Sequence, residues 1–289
     1  MSTRVEIRQI MERAREGTQA LLEPVSDDEL TAQISPLAPP LVWNLAHVAS
    51  FEELWLLRTV GGAPPLADAH RDVYEALRRA RSNGARLPAL RADAVRAYAE
   101  DVRERAVDLL EHLDLDSPDA LVRHGFAFGL VVQNELVSQE AMLEALQLRQ
   151  GRSYPVPSSS RPDRAPSGPD EILVPGGTFL VGAEHEPWAY DNELEAHEVE
   201  LGPFVIDRAP VTNAQFAEFV DGRGYRSPRH WSAAGWEWRE REDARAPLYW
   251  EGGPEGWERV RFGVREPLPP DEPVQHVSFY EAEAFAHWA

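Results

Sequence analysis

Asn134 and Ser138 stand four apart in the middle of "VVQNELVSQEAML", Val131 to Leu143, a stretch that reads as a buried helix. In a helix, Asn134 and Ser138 share one face and lean toward the same point. Two histidines at that spacing would grip a metal ion, whereas an amide and a hydroxyl are weak ligands for iron, zinc or copper. Gln133, Glu135, Gln139 and Glu140 widen the pair into a polar cluster among Val131, Val132, Leu136, Val137, Met142 and Leu143. Polar groups in a buried helix need partners. The cluster therefore reads either as a site or as a buried hydrogen-bond network. Glu135 offers a carboxylate, but it points about 100° around the helix from Asn134.

A second donor is His47, in "PLVWNLAHVASFEELWLL". Its helix is apolar almost all round, which places His47 in the interior. It reads as a core histidine satisfied by one hydrogen bond, or as a metal ligand reaching a facing helix. With His47 alone, no tight transition-metal site is expected. Asp191, Asn192 and Glu193 form an oxygen-rich turn that can bind calcium but is more simply a capped turn. His197 and His276 read as structural. No Gly-rich phosphate loop, Ser-His-Asp pattern or Cys/His zinc spacing is present.

Several elements must position these residues. Apolar periodicity predicts helices over 4–22, 40–59, 92–114 and 118–149, with a shorter one over 66–81. Pro40 suits the first turn of the second helix, and Asp116 or Ser117 the cap of the last. Four long helices with short loops predict an antiparallel bundle over residues 1–150. The Pro-, Ser- and Gly-rich stretch 151–170 reads as a semi-rigid linker. Residues 171–289 change texture. "EILVPGGTFLVG" opens with a strand and a turn at Pro175-Gly176-Gly177, and "HEVELGPFVIDRAPV" alternates like two more strands. "TNAQFAEFVDG" predicts a short helix capped by Thr212, with Phe216 and Phe219 inward and Gly222 at its end. Residues 225–275 read mostly as loop pinned by Trp231, Trp236, Trp238, Trp250 and Trp257. The last stretch, "SFYEAEAFAHWA", is a helix capped by Ser278 that ends with no C-cap and no return strand.

The chain has 289 residues, enough for two domains, with 49 acidic against 29 basic residues and a formal net charge of -20. That acidity repels phosphate backbones and anionic lipid, which argues against nucleic acid and membrane surfaces as partners. With no cysteine, disulfides and thiolate chemistry are excluded, and a cytoplasmic location is expected. No apolar run is long enough to span a bilayer, and the N-terminus is too charged for a secretory signal.

"SPLAPPLVWNLAHVASFEELWLLR" closely resembles the second bundle helix of the hercynine oxygenases, the EgtB-type sulfoxide synthases of ergothioneine biosynthesis. "LVPGGTFLVGAEHEPWAYDNELEAHEVELGPFVIDRAPVTNAQFAEFVDGRGY" and "RFGVREPLPPDEPVQHVSFYEAEAFAHWA" resemble their second domain. The resemblance implies an α+β protein: a DinB-like antiparallel four-helix bundle, then an incomplete domain like the formylglycine-generating enzyme, with a C-type-lectin-like fold. The family's domain is expected to continue past Ala289, where it supplies a catalytic tyrosine and further substrate contacts.

The family reaction that the resemblance implies is O₂-dependent C–S bond formation between hercynine and γ-glutamylcysteine or cysteine. It runs on Fe(II) held by three histidines, two of them in a motif of the form Q-H-E-x-x-H-x-E-T-M-L. His47 matches the first ligand, while Asn134 and Ser138 occupy the positions of the other two. Losing ligands costs more than losing the residues behind them, which already weakens binding about 10–100-fold. Arg81, before Leu87-Pro88, matches one substrate-binding arginine, and Gly84 falls where another is expected. Weak or absent iron binding follows as an expectation. The alternatives are a diverged oxidoreductase, a pseudoenzyme partnering an intact paralogue or a separately encoded domain end, and a thiol-dependent transferase.

Overall fold

Helix α1, Arg4–Leu22, buries Ile7, Met11, Ala14, Arg15, Thr18 and Leu22 on one stripe. The computed structural model describes residues 4–35, 37–83, 87–149, 153–155, 171–184, 186–254 and 256–289, with the side chains of 81–83 excepted. A five-residue helix α2, Asp27–Thr31, follows; Ser26 and Glu29 close a capping box at its start. Helix α3, Leu41–Glu52, begins directly after Pro40 and runs into a π-helical segment, Glu53–Val60. Helix α4 spans Arg71–Asn83, α5 Ala92–His112 and α6 Phe126–Gln147. Helix α3 packs on α5 and α6, and α1 packs on α6. The shared interior holds Ile7, Met11, Leu41, Val48, Val95, Tyr98, Val102, Phe128 and Met142.

The last bundle helix starts eight residues later than its periodicity predicts. Asp114, Ser117 and Asp119 side chains accept from the backbone N–H groups of Asp116, Asp119 and Leu121, two residues on in each case. Such local side-chain bonds offer the backbone an alternative to the helix. The cap is then neither Asp116 nor Ser117 but Gly125, at φ 71°. A side chain there would be strained and would meet the Ile7 side chain at 2.4 Å.

The chain divides into two compact units, one of residues 1–150 with 181–197, the other of 151–180 with 198–289. Most of the stretch 151–170 lies outside the described residues, but Tyr154 is buried and its N–H donates to the Phe262 carbonyl at 3.0 Å. In the second unit, β1 (Glu171–Val174) pairs antiparallel with β4 (Phe204–Asp207), Val174 opposite Phe204. Strand β2 (Gly177–Val181) pairs with β3 (His197–Leu201). Helix α7, Asn213–Asp221, is capped by Thr212, buries Phe216 and Phe219 and ends before Gly222, as its sequence predicts.

Residues 225–275 are more regular than expected. They contain helix α8 (Ala233–Arg241), capped by Ser232, and an antiparallel sheet of β5 (Trp250–Gly253), β6 (Gly256–Arg261) and β7 (Val264–Pro267). The tryptophans do act as plugs: Trp231 is buried against Phe219 and Tyr225, with Trp236, Trp238 and Trp250 around them. Helix α9, Phe279–Trp288, is capped by Ser278 and stacks Phe285 on Phe216 with ring centres 5.2 Å apart.

Candidate functional site

The site is built on α3 and α6, the two helices that carry the sequence-predicted residues. Ser138 is buried, and its hydroxyl donates to the backbone carbonyl of Asn134 at 2.8 Å. Asn134 is half-buried, and its Oδ1 is enclosed with no hydrogen-bond partner among the described residues. The same holds for Gln133 Oε1, although the Gln133 amide nitrogen donates to the Trp188 carbonyl at 3.2 Å. Leu136 and Val137, between Asn134 and Ser138, are exposed.

His47 is exposed rather than interior. The helix is so uniformly apolar that its sequence does not reveal which side faces out. Its ring tilts against Phe51, centres 6.1 Å apart, and partial desolvation holds the imidazole below its ordinary pKa. Arg81 lies within α4, and its side chain is outside the described residues, as is Gly84. Asp191–Glu193 is a capped turn: Tyr190 N–H donates to Glu193 Oε2 at 2.7 Å, and Asn192 N–H to Asp191 Oδ1 at 3.0 Å.

Glu135 belongs to an arrangement that the sequence does not announce. Its side chain is wholly buried and turned into the bundle, where Arg15 Nε donates to Oε1 at 2.8 Å and an Arg103 terminal nitrogen to Oε2 at 2.7 Å. The same arginines hold Glu52, also fully buried: Arg15 at 2.9 Å and Arg103 Nε at 2.6 Å. Spare guanidinium hydrogens reach the carbonyls of Ala99 and Met11. Thr18 donates to Glu135 Oε1 at 2.8 Å, and Gln139 donates to Thr18 and to the Ala14 carbonyl. Two positive and two negative charges from α1, α3, α5 and α6 thus cancel. Burial pushes the Glu135 carboxyl up, but the charges of Arg15 and Arg103 and the bonds from Arg15 and Thr18 outweigh it and hold it below its ordinary value. Of the two readings of the polar cluster, the network accounts for Glu135 and Gln139.

A second carboxylate, Glu53, is buried at the start of the π segment. Tyr74 and Tyr98 both donate to it, Tyr98 at 2.5 Å, and the Leu66 N–H does so at 2.9 Å. Burial, then the Glu53 bond and charge, raise both phenols, so both stay protonated donors. The one signal for these residues in the sequence is the doublet Glu52-Glu53 inside an apolar helix.

Trp188 straps the loop 186–190 onto α6. Its indole donates to the His124 carbonyl at 3.3 Å, and its ring covers Gly129 so closely that a Cβ there would lie 2.4 Å from it.

A three-histidine iron centre, as the resemblance implies, does not fit these donors. His47 supplies one imidazole. Asn134 offers a neutral amide oxygen, Ser138 has committed its proton to the helix backbone, and Glu52 and Glu135 are consumed by arginines. Among the described residues no three His, Cys, Asp or Glu side chains group closely enough to hold a metal ion.

Comparison with known proteins agrees with this architecture. The DinB superfamily pattern matches residues 10–186, and that of the Sulfatase-modifying factor enzyme 1-like domain matches 157–289. The chain is 44% identical over 285 residues to hercynine oxygenase of Mycolicibacterium smegmatis, an alignment covering 96% of this chain and 63% of the relative. It is 42% identical over 284 residues to that of Mycobacterium tuberculosis, covering 96% and 64%. It is also 36% identical over 132 residues to the formylglycine-generating enzyme of Thermomonospora curvata, covering 41% and 43%. A DinB-superfamily bundle joined to a sulfatase-modifying-factor-like region defines the class. The chain belongs to the hercynine oxygenase family, and it spans a little under two thirds of the length of those relatives.

Proposed function

We propose that this chain is a hercynine oxygenase-family protein without the family's iron centre, which by itself does not join hercynine to a cysteine-type thiol. It serves instead as a non-catalytic binding or regulatory protein in the cytoplasm. Its partner is an intact paralogue. The reading is carried by one observation: the two positions expected to hold ligand histidines are Asn134, with an orphaned amide oxygen, and Ser138, bonded to its own helix. Three imidazoles leave open positions at which thiolate and O₂ can meet on one metal; one imidazole does not fix the ion at all.

Ancestry favours a second reading, a diverged oxidoreductase, at 44% identity to a hercynine oxygenase. The two separate on turnover. The chain is incubated with Fe(II), O₂, hercynine and either γ-glutamylcysteine or cysteine, and sulfoxide product is followed by mass spectrometry. The Mycolicibacterium smegmatis relative serves as positive control. No product above the protein-free reaction is expected; steady multiple turnover would establish the oxidoreductase instead.

A further inference from the structure

Between the π segment and α4 lies a groove of about 920 Å³, lined by Leu54, Arg58, Arg71, Tyr74, Leu77 and Tyr98 among others. Its volume suits a small molecule, for which sites run to roughly 300–1,000 Å³ and are often found between bundle helices. We propose that this groove binds a small carboxylate-bearing molecule, its carboxylate held between Arg58 and Arg71 and its stem lying on Leu54 and Leu77.

Three features carry the proposal. In a chain with 49 acidic and 29 basic residues, arginines generally find carboxylates. Arg58 and Arg71 are exposed in the groove, and among the described residues no hydrogen bond or ion pair engages either. A planar guanidinium fork donates two parallel bonds to a carboxylate, so the pair offers ready donors for one.

The floor of the groove is fixed and does not compete for them. The Glu53 carboxylate is already satisfied by Tyr74, Tyr98 and the Leu66 N–H. Arg58 and Tyr74 line the same groove. The segment presenting Arg58 is π-helical, a rare geometry that recurs at functional sites.

The remaining charges select the ligand. Asp68 and Glu75 also line the groove, with Arg78, so three arginines face three carboxylates. Glu75 is engaged by Arg79 at 2.7 Å. That near-neutral balance suits a carboxylate on an apolar stem better than a phosphate dianion. The groove uses no iron-ligand position, so this proposal and the iron reading fail independently.

The test is calorimetric titration of the full chain with sodium glutarate and, separately, with inorganic phosphate at matched ionic strength. Saturable glutarate binding is expected, weakened at least about tenfold in R58Q/R71Q and unchanged in R96Q. Arg96 lies outside the groove and pairs with Asp27. Glutarate should also slow amide exchange over 53–60 and 66–78 in the parent chain and not in R58Q/R71Q. Absence of saturable binding, equal binding by the double variant, tighter binding of phosphate, or protection confined to other segments would each overturn the proposal.

Discussion

Ser138 donates its hydroxyl proton to the backbone carbonyl of Asn134, 2.8 Å away and one turn earlier on α6. Hydroxyls that bond back to their own helix in this way are satisfied without any external partner. The side chain that replaces an expected metal ligand has thus been absorbed into the helix. Its neighbour Asn134 has not, since its amide oxygen is enclosed and unpaired among the described residues.

Restoring the expected histidines tests whether these positions can hold a metal. The N134H/S138H variant is expected to bind iron well above the parent level, read by metal analysis after anaerobic loading. If it stays as empty as the parent, the backbone no longer presents these positions to a common ion.

The buried charges should dominate the stability of the bundle. E135Q leaves Arg15 and Arg103 short of one negative charge in a site where Glu135 is fully buried. Breaking a buried pair from one side costs about 3–5 kcal/mol, so urea denaturation should show a loss of that order. E12Q, which removes one of the two exposed partners of Arg8, should leave the transition in place. An E135Q loss no larger than that of E12Q would show that the network contributes nothing net.

The same network sets an acid limb. Because the folded Glu135 carboxyl is held below its ordinary value, the unfolded chain takes up its proton first as pH falls. The stabilisation is complete above the unfolded value and is lost as pH drops through the folded one. Denaturation midpoints measured across the acid range should fall less steeply in E135Q than in the parent; equal slopes would contradict the assignment.

Gly129 is required by Trp188. In G129A the new methyl would sit 2.4 Å from the indole, so the ring must leave its place on α6. Limited proteolysis should then cut within 186–190 faster than in the parent. An unchanged cleavage pattern would mean that the strap tolerates displacement.

Much of the fold can be read from local chemistry. Helices α1, α7 and α9 match their predicted spans because periodicity and caps agree: Thr212 and Ser278 each close a capping box. Helix α8 and strands β5–β7 escape such reading. In "WEGGPEGWERVRFGVREP" charged residues fall on both faces of the strands, so no apolar alternation marks them, although the glycine turns do. The placing of Asn134 and Ser138 together on one helix is legible, because they are four residues apart. Their surroundings are not, because they form over distance: Arg15 and Glu135 are 120 residues apart, and only the packing of α1 on α6 brings them together. Exposure of His47 is hidden for the opposite reason, an apolar helix with no polar face to orient it.

Iron stoichiometry bears most directly on the loss of the centre. The parent chain is loaded anaerobically with Fe(II), desalted and assayed for bound metal. Well under one iron per chain is predicted; a full equivalent retained, by whatever protein donors, would contradict the account.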